Sequence, residues 1–165
     1  MERKSIPAFL IRPAEAADYE AVNRLMSQVQ SLHVAWRPDI YRPVEQMFSR
    51  EEYEALLEKN RVLAAEADSR ICAVLILTER TAQAPVQVFR RVLFVDSLAV
   101  DECMRGQGIG SRLMETAVQT AREQGYDGVE LQVNARNVQA RKFYEELGFT
   151  DKSVNMEFLW NRENL

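Results

Sequence analysis

The sequence predicts an α/β fold of the α+β kind, a mixed central sheet of six to seven strands with helices on both faces, and three observations carry that expectation. Runs rich in β-branched and aromatic residues recur along the chain, apolar stripes at helical spacing lie between them, and Gly, Pro, Asp and Ser punctuate both. At 165 residues the chain can bury one sizeable core, so 1–165 is expected to form a single domain, without repeats or low-complexity linkers.

Phe9 to Arg12 reads as the first strand. Val22, Leu25, Met26, Val29 and Leu32 then recur at the spacing of one helical face. His33 to Pro43, H-V-A-W-R-P-D-I-Y-R-P, reads as an irregular loop, and Ser49 with Glu52 forms a capping box for a short helix carrying Tyr53, Leu56 and Leu57. R-V-L-A-A-E-A and I-C-A-V-L-I-L-T-E-R flank Asp68-Ser69-Arg70 as a hairpin, and Arg91 to Val100 is a further strand. Ile109, Leu113, Met114, Ala117, Val118 and Ala121 stripe a helix ended by Gly125; Gly128 to Val133 is a strand; Ala135 to Leu147 is a helix closed by Gly148. Finally Val154, Met156, Phe158 and Trp160 alternate with other residues, which predicts a sheet strand with one buried face. Its free edge could extend a sheet across a homodimer.

Composition narrows the function. A net charge of −4 argues against a nucleic-acid partner and leans toward cationic or amine ligands. The longest apolar run, Ile71 to Leu77, is too short to cross a bilayer, and M-E-R-K followed by I-P-A-F-L-I runs straight into Arg12 and Pro13, so no targeting segment is visible. Cys72 and Cys103 lie far apart with no C-x-x-C spacing, which indicates neither a disulfide framework nor a metal site and suits a cytoplasmic location.

The chemistry concentrates at Met104 to Leu113, M-R-G-Q-G-I-G-S-R-L, between a strand and a helix. Glycine in a first helical turn lowers stability, so a cluster there answers to geometry. A helix start offers unpaired N–H groups and a positive dipole end, the natural partner of a phosphate, and Arg105 adds a forked donor. A Walker A loop fails for want of a Gly-Lys pair. A dinucleotide fingerprint, and with it an oxidoreductase, fails on spacing: the third glycine position falls on Ser111 or Leu113.

Arg105-x-x-Gly108-x-Gly110 fits a third pattern. Leu98 to Met114, L-A-V-D-E-C-M-R-G-Q-G-I-G-S-R-L-M, resembles the acetyl-coenzyme A site of the GCN5-related N-acetyltransferases (GNAT), and Leu131 to Phe149 is similar to that family's next strand and helix. The opening I-R-P-A-E-A-A-D-Y-E-A-V-N-R-L resembles its first strand and helix, so the likeness covers nearly the whole chain. One departure is Asp101-Glu102-Cys103-Met104, where members often carry a proline.

The resemblance implies that Arg105, Gly106, Gln107, Gly108, Ile109, Gly110 and Ser111 hold the pyrophosphate of acetyl-CoA through backbone N–H groups. It implies that Leu98, Ala99 and Val100 pair with the pantetheine arm where neighbouring strands splay, that Asn137 and Ala140 contact the coenzyme, and that Tyr144 serves both as coenzyme contact and as general acid. The His33–Pro43 loop, with Trp36, Tyr41, Arg37 and Arg42, would wall the acceptor site. The implied reaction is acetyl transfer to a primary amine of a small molecule or protein by direct attack in a ternary complex. A non-catalytic acyl-CoA sensor is the alternative.

An alkyl ammonium near pKa 10.4 must lose a proton before it attacks. Asp96 falls in phase with Val92, Phe94, Leu98 and Val100, so it is expected on an apolar face, where burial raises a carboxyl and improves it as a base. Glu130 and a water chain compete for the role. His33 reads as an ordinary surface residue and Cys103, without a histidine partner, as no nucleophile.

Overall fold

Asp68 and Ser69 set the register of the sheet. Both have positive φ, 49° and 60°, the left-handed pair of a two-residue turn whose twist matches that of its strands. They join β2 (Val62–Ala67) to β3 (Arg70–Ala82) in the expected antiparallel hairpin. The computed structural model describes residues 8–59 and 61–160; Met1–Pro7, part of the stretch weighed for targeting, lie outside the described residues. With β1 (Phe9–Pro13), β4 (Arg90–Val100) and β5 (Gly128–Leu131) the strands form one sheet in the order β1-β2-β3-β4-β5, antiparallel except for the parallel β4–β5 pair.

The contacts divide the chain into two compact units, one comprising residues up to Val29 with Val44–Gln132, the other Gln30–Pro43 with Val133 onward. The first holds the sheet. On one face Val62, Ala64, Val74 and Ile76 pack with Tyr19, Val22, Leu25 and Met26 of α1 (Tyr19–Trp36) and with Tyr53 of α2 (Arg50–Glu58). Leu75 and Leu77, which alternate with them, are buried as well, and α3 (Ile109–Glu123) packs on β2 to β5 through Ile109, Leu113, Met114, Ala117 and Ala121. Each face of the sheet is therefore covered. Ser49 caps α2 as predicted, accepting from the Glu52 N–H at 3.2 Å while Glu52 accepts from the Ser49 N–H at 2.7 Å.

Tyr53 is 1% exposed, and its hydroxyl donates to the Glu15 carbonyl at 2.9 Å. Burial pushes its phenol from the ordinary 10.0 up to about 12. The unfolded chain thus releases this proton first, so the contribution is complete below pH 10 and is lost as pH rises toward 12. Tyr53→Phe should cost about 1–2 kcal/mol near neutrality through the unpaired carbonyl, and should flatten the alkaline loss in urea titrations.

In the second unit α1 ends, and α4 (Val138–Glu146) follows a turn at Ala135 and Arg136. The predicted loop from His33 begins later, because α1 continues through Trp36 before Pro38 stops it. The predicted helix start at Ala135 also moves, to Val138, because Asn137 caps it by accepting from the Ala140 N–H at 3.0 Å.

The last predicted strand is not there. The sheet has five strands among the described residues rather than six to seven, and Val154, Met156, Phe158 and Trp160 are 73, 92, 73 and 91% exposed. Alternation specifies a face, but a strand also needs a neighbour's backbone, and no strand of this sheet provides one. No helix among the described residues is long and apolar enough to cross a membrane.

Candidate functional site

Two irregularities in β4 shape the site. Ile76 pairs with Ser97 and Leu77 with Val95, so Asp96 is the extra residue of a bulge. The bulge breaks the period-two reading: Val92 to Val95 are all buried, Asp96 is exposed, and Ala99 is buried again. Asp96 therefore does not lie on a buried apolar face as expected; its Oδ1 stands 3.6 Å from Arg80 Nη2. Glu130, the competing carboxylate, is opposite Phe94 in the β4–β5 ladder, with Oε1 3.2 Å from Arg90 Nη1.

The second irregularity is where that ladder stops. β4 and β5 pair only from Val92–Gly128 to Val95–Leu131, while β4 runs on to Val100 against β3. Beyond Val95 the β5-side edge of β4, including Leu98, Ala99 and Val100, has no strand partner among the described residues. An open strand edge of this kind takes an extended amide-bearing ligand by main-chain pairing.

The glycine loop follows directly. Gly106 and Gly108 have φ of 75° and 79°, and Gly108 is the N-cap of α3. A Cβ at either would meet nothing within 4 Å, so these glycines supply a left-handed backbone and an open approach rather than relief from a packing clash. Arg112 is the first residue of α3 to bond back, to Gly108 O at 3.1 Å. The N–H groups of Ile109, Gly110 and Ser111 thus have no carbonyl in their own helix, and they sit at the positive end of a 15-residue dipole. Arg105 Nε donates to Val100 O at 3.1 Å, which fixes the guanidinium beside the strand end, and Gln107 Nε2 reaches Cys103 O at 3.4 Å. This arrangement suits an anion on the loop continued by an extended arm along β4.

The sequence reading missed what holds the loop. Asp101 is tied down by hydrogen bonds: its N–H donates to Cys72 O at 2.8 Å and its carboxylate pairs with Arg24 of α1, whose Nη2 also donates to Ile71 O at 3.1 Å. The Arg24 guanidinium holds the Asp101 carboxyl at about 2. Gln28, one turn on, accepts from the Glu102 N–H at 3.1 Å. Only the helical spacing of Arg24 and Gln28 hinted at this, since the partners lie more than seventy residues apart. Cys103 donates its thiol to Asp101 at 3.1 Å, and that carboxylate pushes the thiol up, opposite to what a nucleophile needs.

In the second unit Asn137 accepts from the Ala140 N–H at its Oδ1, leaving its Nδ2 as the side chain's donor. Tyr144 is half-buried, with its ring 5.1 Å from Phe143 and 5.8 Å from Phe149, and burial pushes its phenol up to about 12. Trp36 and Tyr41 are brought together by His33, whose ring lies 5.9 Å from Trp36 and stacks on Tyr41 at 4.9 Å. Half-buried, His33 is pushed below its ordinary 6.5 and is neutral at pH 7. Arg37 folds back onto Asp39 at 2.9 and 2.7 Å, and Arg136 donates to Trp36 O. Among the described residues no group of His, Cys, Asp and Glu is placed to hold a metal.

Residues 27–149 match the sequence pattern of the acetyltransferase (GNAT) family. The chain belongs to the GNAT family. Within it, glucosamine 6-phosphate N-acetyltransferase 1 of Oryza sativa subsp. japonica is 30% identical over 157 residues, which cover 90% of this chain and 86% of that protein. The crystal structure of a mutant BH1408 protein from Bacillus halodurans matches with a TM-score of 0.85 and 31% identity, over 92% of this chain and 99% of that one. An aminoglycoside N-acetyltransferase, AAC(6')-Iy, in complex with CoA shares the GNAT fold at a TM-score of 0.70 and 15% identity, over 98% and 99%. Several curated acetyltransferase relatives are matched over only 20 to 29% of their own length.

Proposed function

We propose that this GNAT chain moves the acetyl group of acetyl-CoA to a primary amine of a small molecule or protein by direct attack in a ternary complex. The supporting observation is the sequence of an open β4 edge, a two-glycine left-handed loop and three N–H groups without a carbonyl in their own helix, within Asp96–Ser111. Bound acetyl-CoA supplies the thioester to be cleaved. Ile109, Gly110 and Ser111 donate to the pyrophosphate, with Gly106, Gln107 and Gly108 shaping the turn and the Arg105 guanidinium beside it; Leu98, Ala99 and Val100 pair with the pantetheine arm. Asn137, through Nδ2, and Ala140 are assigned to the coenzyme by family likeness. Trp36 and Tyr41 are assigned to the acceptor.

Tyr144 is the donor to the departing sulfur. With its phenol near 12 it is a weaker acid than a thiol of about 8.5, so it stays protonated and stabilises the thiolate by a hydrogen bond rather than surrendering its proton. Asp96 takes the amine proton; Glu130 is the competitor. Asp96→Asn should leave coenzyme binding unchanged, lower kcat by about 10²-fold or more, and flatten the rise of rate with pH. Glu130→Gln run alongside decides between the two, since only the base's variant should lose the pH slope.

The test is thiol release from acetyl-CoA with a panel of polyamines, amino sugars, amino acids and lysine peptides. Amine-dependent release supports the reading. Coenzyme binding with no release for any amine class favours the acyl-CoA sensor.

A further inference from the structure

One face of the sheet carries a built pair of opposite charges at the β4 bulge. Arg80 is opposite Val92 and Thr78 opposite Phe94 across the β3–β4 ladder, and Glu130 is opposite Phe94 on β5, so these side chains share that face. The Arg80 guanidinium carbon stands 3.1 Å over the ring of Phe94, and Phe94 is itself buried, so the guanidinium plane is fixed. Its Nη2 lies 3.6 Å from Asp96 Oδ1, close enough for attraction but beyond hydrogen-bond length, and Arg80 donates no hydrogen bond to any described residue. The two side chains are 53 and 34% exposed. A fixed, open fork of N–H donors is a seat for a carboxylate.

Asp96 lies where the acetyl group arrives. The pyrophosphate loop follows Val100, so an arm pairing with Val100, Ala99 and Leu98 runs back along β4 and brings its thioester end toward Ser97 and Asp96, beside the end of the β4–β5 ladder. We propose that the acceptor is a free α-amino acid, its carboxylate held by Arg80 and its α-ammonium by Asp96. This rests on the acetyl-transfer reading and names its substrate class. Charge favours a zwitterion: Arg80 with Asp96, and Arg90 with Glu130 at 3.2 Å beside them, sum to zero. An amino acid keeps that sum, whereas a polyamine would bring further cations beside two guanidinium groups. Spacing agrees, because bonds to one carbon hold the nitrogen and carboxyl carbon roughly 2.5 Å apart, and both ends reach their partners together. A lysine ε-amine, four carbons further out, cannot do so. On transfer the α-nitrogen bonds to the acetyl carbon as the thioester C–S bond breaks. Of the two protons it loses, one passes to Asp96 and one, by way of water, to the released thiolate.

The test is steady-state thiol release from acetyl-CoA with matched triplets for several side chains: the amino acid, its primary amide, and the amine that lacks the carboxylate. The acid should have a kcat/KM at least about a hundredfold above either partner. The amide is the least basic amine of the three and the most available at neutral pH, so chemistry alone would favour it. Arg80→Met should raise KM for the acid about a hundredfold, leave KM for acetyl-CoA within about twofold, and bring acid and amide level. Arg80→Lys should restore part of the preference. The wild-type triplets decide the matter even where a variant fails to fold. Release that shows no preference for the acid, or a preference that survives Arg80→Met, overturns this proposal alone. Release with no amine overturns the acetyl-transfer reading with it.

Discussion

Gly108→Val should abolish measurable coenzyme A binding while leaving the fold intact. Gly108 sits at φ 79° as the N-cap of α3, and a β-branched residue there is strained whatever the space around it. Relief requires the loop to rotate, which turns the Ile109, Gly110 and Ser111 N–H groups away from a common target. Three misaligned charge-assisted hydrogen bonds account for a loss of at least about a hundredfold in affinity. The core of α3 is not involved, because a Cβ at this position meets nothing within 4 Å and Leu113 and Ala117 are already fully buried beneath the helix. Calorimetric titration reads the loss, and circular dichroism shows whether the fold survived.

Tyr144→Phe carries the second large effect. Removing the hydroxyl should lower kcat by about 10²-fold or more with little change in coenzyme affinity, since the hydrogen bond strengthens only as charge builds on sulfur. The phenol near 12 adds a second signature: the wild-type rate should show no falling alkaline limb from this group until pH approaches 12. A steady-state pH profile of the two proteins against one acceptor measures both. Equal kcat values would remove Tyr144 from the mechanism.

Much of this was legible in the residues because it depended on local rules. The Asp68-Ser69 turn, the Ser49–Glu52 capping box and the α3 stripe are each set by neighbours a few positions apart, and each is found. The loop's glycines pointed to a geometric need for the same reason, and the structure shows it to be a left-handed backbone at Gly106 and Gly108. Asp96 was misplaced because alternation assumes an unbroken ladder, and a bulge is decided by the partner strand; no residue near Asp96 announces it. The Arg24–Asp101 pair and the stacking of His33 on Tyr41 depend on how segments meet in space, and no spacing encodes them. Val154 to Trp160 is the instructive case: the alternation is there, but the face it marks for burial is exposed, because a strand also needs a neighbouring backbone and no strand of this sheet provides one.

The central claim is that the loop from Arg105 to Ser111 binds coenzyme A, and a thermal-shift panel with acetyl-CoA, free coenzyme A, NADH and ATP at matched concentrations tests it most directly. At about a hundred times its dissociation constant a ligand adds roughly 2.7 kcal/mol, about 5–10 °C for a chain of this size. Stabilisation by the two coenzyme A species alone is the predicted result; a shift with NADH or ATP and none with coenzyme A would contradict it.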